Sequence, residues 1–164
     1  EFDLELAKQR SADNPVYYVQ YAHARIASLW RVAKSRSIPS PLPSQTDLSL
    51  LTDPDELGLI RKLAAYSSVI EAAAVGYEPH RVTYYLQQLA ALLHTFYNKH
   101  RILPPAADAE VFAPAAPGMT AEEGAERETL SPERTAARLA LMRGVQQVIK
   151  NGLGVIGISA PDQM

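Results

Sequence analysis

The chain contains no cysteine. That excludes disulfides and thiolate metal sites, and it fits the reducing cytoplasm. No apolar run approaches the ~18 residues that a membrane-spanning helix needs. The first residues, EFDLELAKQR, lack the apolar stretch and small-residue cleavage site of a signal peptide. They include no initiator Met and open inside an amphipathic pattern, as a piece of a longer chain would. Glycine is scarce, eight in 164 residues, and none stands in a G-x-x-x-x-G-K-[ST] or G-x-G-x-x-G pattern. The glycines of GLGVIG follow a helix, the wrong order for a dinucleotide site. There is no H-E-x-x-H. His94 and His100 are six apart, a spacing that does not share a helix face. Ser, His and Asp form no recognisable arrangement, so neither a structural zinc nor an independent catalytic site is expected.

Acidic residues are also missing where they would matter most. None occurs between Asp13 and Asp47, while Arg25, Arg31, Lys34 and Arg36 fall in that interval. The net charge of −2 argues against a general nucleic-acid binder. The acids are concentrated elsewhere: residues 106–133 hold seven against the single cation Arg127. The remainder has 15 Lys and Arg against 11 Asp and Glu. That mild excess suits a small footprint of phosphate contacts.

What is present is helical punctuation. With 47% hydrophobic residues over 164 positions, the chain can bury the core of one domain spanning residues 1–164. A first helix starts at Asp13 or Asn14 with Pro15 in its first turn. Val19, Ala22, Ile26, Trp30 and Ala33 form its core stripe, with His23 on the same side. Tyr17, Tyr21, Ala24, Ser28 and Arg31 lie opposite, with Tyr18 and Arg25 on the flank. The helix ends near Arg36, before the extended SIPSPLPS. A second helix starts at Asp53–Pro54–Asp55–Glu56, a capping box. Its stripe is Leu57, Ile60, Leu63, Ala64, Ser67 and Ile70, and Gly76 stops it. A third runs from Glu78–Pro79 to Pro104, with Val82, Tyr85, Leu86, Leu89, Leu92, Leu93 and Phe96 facing the core. Ala90, His94, Tyr97 and Arg101 lie on its other side. A fourth starts at Ser131–Pro132, buries Leu139, Met142, Val145 and Ile149, and closes at Asn151–Gly152. The tail LGVIGISAPDQM is apolar enough to pack on the bundle. Residues 104–130 form an acidic Ala/Pro-rich insertion with a short helical turn over 121–128. No strand pattern is long enough for a sheet. The expected fold is an all-α bundle of four main helices, plus a short helical segment over residues 4–11.

Three stretches carry a family resemblance. FDLELAKQRSADNPVYYVQYAHARIASLWRVA resembles bacterial arginyl-tRNA synthetases where catalytic core passes into the C-terminal anticodon-binding domain. RLALMRGVQQVIKNGLGVIGISAPDQM resembles their closing helix and terminal residues. VTYYLQQLAALLHTFYNKHRIL is similar to their helix ending in FYxxxRVL. The D-A-L-R motif that names the domain falls on TAARLAL, residues 135–141, without a literal match. The resemblance implies a class I ligase that joins arginine to its tRNA using ATP with Mg, with the nucleotide-binding fold before Glu1. This portion is then catalytically silent and takes no cofactor. Its partners are arginine-accepting tRNA and the catalytic domain of the same chain, with no DNA and no membrane.

The resemblance also implies contact residues for the anticodon loop. They are Tyr17, Gln20, Tyr21 and Arg25 on the first helix, Tyr97 and Arg101 at the end of the third, and Met164 at the chain end. Rings that stack unpaired bases beside cations that meet phosphates are what such a site needs. The expected site is a shallow groove between the first and third helices, closed by the C-terminal tail. Tyr18 and Tyr85 are expected to pack with their hydroxyls wet, and His23 to be a satisfied core histidine. Two alternatives stay open. The YVQYAHAR face could dock on the catalytic core without touching the anticodon, or the chain could be the related domain of another synthetase.

Overall fold

The computed structural model describes residues 10, 11, 13–105 and 130–164. Five helices make up the described fold, and no strand occurs among the described residues. They are α1 (Pro15–Ser35), α2 (Pro54–Ala64), α3 (Tyr66–Gly76), α4 (His80–Lys99) and α5 (Pro132–Val155). Two 3₁₀ turns, Pro43–Gln45 and Leu48–Leu50, punctuate the link between α1 and α2. No described helix is long and apolar enough to cross a membrane. Most of the expected segment over 4–11 and nearly all of the 104–130 insertion, its 121–128 turn included, lie outside the described residues. Arg10 and Ser11 are not helical.

The helix starts follow their caps. Asn14 caps α1, its side-chain oxygen accepting from the amides of Val16 at 3.0 Å and Tyr17 at 3.3 Å. Asp53 and Glu56 form the capping box of α2, and Ser131 accepts from the Arg134 amide to open α5. The second expected helix is divided into α2 and α3 at Ala65. A side chain accounts for the division: the Tyr85 hydroxyl donates to the Lys62 carbonyl at 2.7 Å. In an unbroken helix that carbonyl would serve the Tyr66 amide. The helix does end at Gly76, yet the left-handed residue is Tyr77, at φ 54° and almost fully exposed.

α4 is the centre of the molecule, because α1, α2, α3 and α5 all pack on it. It therefore buries two faces. Val82, Tyr85, Leu86, Leu89, Leu93 and Phe96 face the core as expected, but Ala90, His94 and Tyr97 are buried as well. Leu92, expected inside, is 37% exposed. α2 is rotated from the expected stripe: Glu56 and Leu59 are its buried residues, while Leu57, Ile60 and Leu63 are half-buried. The rotation brings the Glu56 carboxylate to Arg138, the arginine of the TAARLAL stretch. Arg138 Nε donates to Glu56 Oε1 at 2.6 Å, and its Nη1 donates to the Arg101 carbonyl at 2.6 Å. Both side chains are fully buried, and Arg134 approaches the same carboxylate at 3.6 Å. This pair joins α5 to the start of α2 and to the chain just beyond α4.

α5 runs past Asn151–Gly152 to Val155. Gly152 is a packing position, not a stop: a Cβ there would lie 2.7 Å from Leu86 Cδ2 in the core. Gly154 faces open space. Gly152→Ala is expected to lower unfolding free energy by about 1–3 kcal/mol through overpacking, and Gly154→Ala to raise it by about 0.5–1 kcal/mol. Equal shifts in urea titrations would contradict this account of the helix end. Arg138→Met is expected to cost about 3–5 kcal/mol because it leaves Glu56 buried without its partner. Adding Glu56→Gln, which keeps the capping box, should recover most of that loss. A single-variant cost below ~1 kcal/mol would show that the pair does not hold α5.

Candidate nucleic-acid interface

α1 and α4 meet along a line of rings. Tyr17 and Tyr21 stack with centroids 6.3 Å apart and planes 14° apart. Tyr21 lies 5.7 Å from the His94 ring, and Tyr18 lies 4.8 Å from it. One turn beyond Tyr21, the Arg25 guanidinium carbon sits 4.2 Å from the centroid of Tyr97. Arg25 Nη1 also donates to His94 Nδ1 at 3.3 Å. Each residue arrives by helical spacing: positions 17, 21 and 25 recur every four residues on α1, and 94 and 97 are three apart on α4.

The protonation states follow from this geometry. A guanidinium has donors only, so His94 Nδ1 must offer its lone pair and the ring proton sits on Nε2. Burial, with the nearby Arg25 charge, lowers the His94 pKa to about 4, so the imidazole is neutral near pH 7. Burial also pushes the Tyr97 hydroxyl up, keeping it protonated beneath the cation. Arg25 is shifted down by burial, opposed by Tyr97 and Tyr21, and remains a cation. The result is one fixed positive charge at the end of a half-buried stack of tyrosines, on a helix with no acidic residue.

The other candidates go to different places. Gln20 donates from Nε2 to the Ser159 carbonyl at 2.9 Å, and His23 Nδ1 meets the Pro161 carbonyl at 3.0 Å. The C-terminal tail is thus pinned along the Gln20–His23 flank of α1, and Ile156 and Ile158 at its start lie against residues of both α1 and α4. Met164, at the end of that tail, is half-exposed. Arg101 is half-buried; its carbonyl is held by Arg138, and its side chain makes no ring or ion-pair contact among the described residues. Tyr97 is buried under Arg25, where a solvent-facing ring was expected. Tyr85 is buried with its hydroxyl bonded and its pKa pushed up to about 12 by burial and Tyr66. His94 was not among the expected contact residues, although its three-residue spacing from Tyr97 was in the sequence. A second cluster, Asp53, Asp55 and His100, holds three candidate ligand atoms within 4.8 Å. Its members are engaged already: Asp53 caps α2, and Asp55 accepts from His100 at 3.0 Å and Lys99 at 3.2 Å. Those bonds hold the Asp55 carboxyl below its ordinary value.

The His94 state has a measurable consequence. Its folded pKa of about 4 lies below the ordinary 6.5. Between those values the unfolded chain binds the extra proton, so stability is full above about pH 6.5 and lost as pH falls toward 4. His94→Asn keeps an acceptor near Nδ1 and removes the titration. The stability gap between wild type and His94→Asn, read from urea unfolding, should shift toward the variant by up to ~3 kcal/mol over that window. A gap that does not change with pH would mean His94 is not held neutral.

Comparison with known proteins places the whole chain. Residues 19–114 and 124–164 match the model of the DALR anticodon binding domain. The chain is 47% identical to an arginine–tRNA ligase of Geobacter sp. (strain M21) over 164 residues, which is 100% of this chain and 25% of that protein. It is 46% identical to the arginine–tRNA ligase of Desulfovibrio desulfuricans, over 100% of this chain and 26% of that protein. It thus spans about a quarter of the length of the curated relatives it matches. The Thermus thermophilus arginyl-tRNA synthetase structure superposes with a TM-score of 0.56 at 32% identity, covering 90% of this chain and 21% of that one. A Campylobacter jejuni structure described as an arginyl-tRNA synthetase shares the fold with a TM-score of 0.73 at 24% identity, covering 100% of this chain and 30% of that one. With the domain model matched over most of the chain, this protein belongs to the DALR anticodon-binding domain family.

Proposed function

We propose that the α1–α4 ring face seats unpaired anticodon bases of arginine-accepting tRNA, on behalf of a larger arginine–tRNA ligase. The observation that supports this most is the Tyr17–Tyr21 stack ending at an Arg25 guanidinium that His94 and Tyr97 hold in place. Stacking on such rings is sequence-tolerant, whereas a fixed guanidinium fork can meet base edges selectively. Tyr17, Tyr21 and Arg25 are the contact residues. Tyr97 works as the floor beneath Arg25. Gln20 fixes the tail at Ser159, and Met164, half-exposed at the end of that tail, is free to meet the tRNA. Arg101 lies just past the end of α4 and meets the phosphate backbone. Arginine activation, with ATP and Mg, is the work of the remaining three-quarters of the ligase, and none of the residues named here takes part in it. The compartment that fits is the cytoplasm.

In the full-length ligase, Tyr21→Leu and Arg25→Gln are each expected to lower kcat/KM for the tRNA by roughly 5- to 150-fold, the equivalent of about 1–3 kcal/mol per base contact. Both should also flatten the preference between transcripts that differ at the middle anticodon base. If both variants kept the full preference, the ring face would be a docking surface for the catalytic domain and recognition would lie elsewhere.

A further inference from the structure

A second feature lies on the other side of α1. α1, α5 and the C-terminal tail enclose an open cleft of about 650 Å³. His23, Trp30, Lys34, Arg143, Lys150 and Asp162 are among its lining residues. Three of the six are full cations. No carboxylate among the described residues pairs with Lys34, Arg143 or Lys150. The sequence explains why: the chain has no acid between Asp13 and Asp47, which covers α1, and none between Glu133 and Asp162, which covers nearly all of α5. Two acid-free helix faces are packed side by side, and their charges converge on one space. The cleft's own acid, Asp162, is largely exposed on the tail, 3.8 Å from His23.

Arg143 is prepared for an anion. Its guanidinium lies 5.0 Å from the centroid of Trp30 and donates to the Ser40 hydroxyl. Trp30 is itself fixed by a 2.9 Å bond from Nε1 to Gln146 Oε1. An arginine ordered in this way loses little side-chain freedom when it meets a phosphate. Ala33, Ile38 and part of Trp30 supply apolar lining, but the three cations without carboxylate partners would stay unpaired against an apolar side chain. A charged, flexible polyanion fits better.

We propose that this cleft is a phosphodiester-binding site for the RNA strand, with Lys34, Arg143 and Lys150 meeting its phosphates. The assignment rests on the RNA-binding reading of the ring face and extends it. Tyr21 and Lys34 are thirteen positions apart on one helix, about 20 Å along its axis, a distance a few nucleotides cross. The ring face then takes bases and the cleft takes backbone, so the two sites separate selectivity from salt-sensitive affinity.

The test uses the full-length ligase and its cognate tRNA, with affinity measured between about 50 and 200 mM salt. Lys34 and Lys150 are exposed, so Lys34→Ala/Lys150→Ala leaves the core untouched. The double variant should bind more weakly at low salt. Its log–log salt slope should be shallower by about 1.4, because each single-strand phosphate that a lysine neutralises adds ~0.7 to the slope. Its preference for the middle anticodon base should stay at the wild-type level. Tyr21→Leu should show the reverse, an unchanged slope with a flattened preference. A double-variant slope equal to wild type overturns the cleft assignment and leaves the ring face standing. A shallower slope together with full base preference in Tyr21→Leu removes the ring face and keeps the cleft. Inorganic phosphate is the arm for a free anion. Measurable phosphate binding that the double variant abolishes, with no change in tRNA slope, overturns the RNA assignment in favour of a free-phosphate site.

Discussion

Arg25 lies over Tyr97 because His94 offers it a lone pair, and His94 can do so only while it is neutral. That contact orders both helices at once. It accounts for the burial of an imidazole and a phenol on the face of α4 turned toward α1, and it fixes a cation on the side of α1 that carries the tyrosines. A protonated His94 would put two positive charges within hydrogen-bond distance in a partly buried setting. The ring face and the α1–α4 interface are therefore one device. What keeps the helices together also holds the guanidinium beside the tyrosines of α1.

The charges of the fold divide along the same lines. Where α2 meets α5 and the end of α4, acids and cations are paired: Glu56 with Arg138 and Arg134, and Asp55 with Lys99, its carboxylate also hydrogen-bonded to the His100 ring. Around the cleft between α1 and α5, the cations Lys34, Arg143 and Lys150 have no such partners among the described residues. The paired side holds structure, and the unpaired side is left to an external anion. The arginine of the motif-like TAARLAL stretch is on the paired side. Its buried bonds to Glu56 and the Arg101 carbonyl make it a structural residue, one that also places the backbone where α4 ends.

Much of this was legible in the sequence, for reasons that can be named. Helix starts were readable because caps are local: Asn14, the Asp53–Glu56 box and Ser131 act within one turn. The α5 stripe of Leu139, Met142, Val145 and Ile149 was readable because those four recur at three- and four-residue spacing, although every residue from Ala137 to Met142 is buried. α4 misled because a central helix buries a second face, and Ala90, His94 and Tyr97 look solvent-facing only until α1 covers them. α2 misled because a carboxylate, Glu56, is on its most buried side. No hydropathy pattern places an acid there without its partner, and that partner is on a helix far along the chain. Glycine misled too. Gly152 reads as a stop but is an opening for Leu86, and the left-handed turn after α3 falls on Tyr77. The ring face was found through tyrosine spacing and family resemblance. Its coupling through His94, and the detour of Gln20 and His23 to the tail, are tertiary facts.

One experiment reaches the central claim most directly. A photoreactive amino acid placed at position 21 of the full-length ligase, irradiated with bound tRNA, will mark whatever lies against the ring face. An adduct mapped to the anticodon triplet is the predicted result. An adduct confined to the enzyme's own catalytic portion, with the tRNA unmodified, would contradict the account.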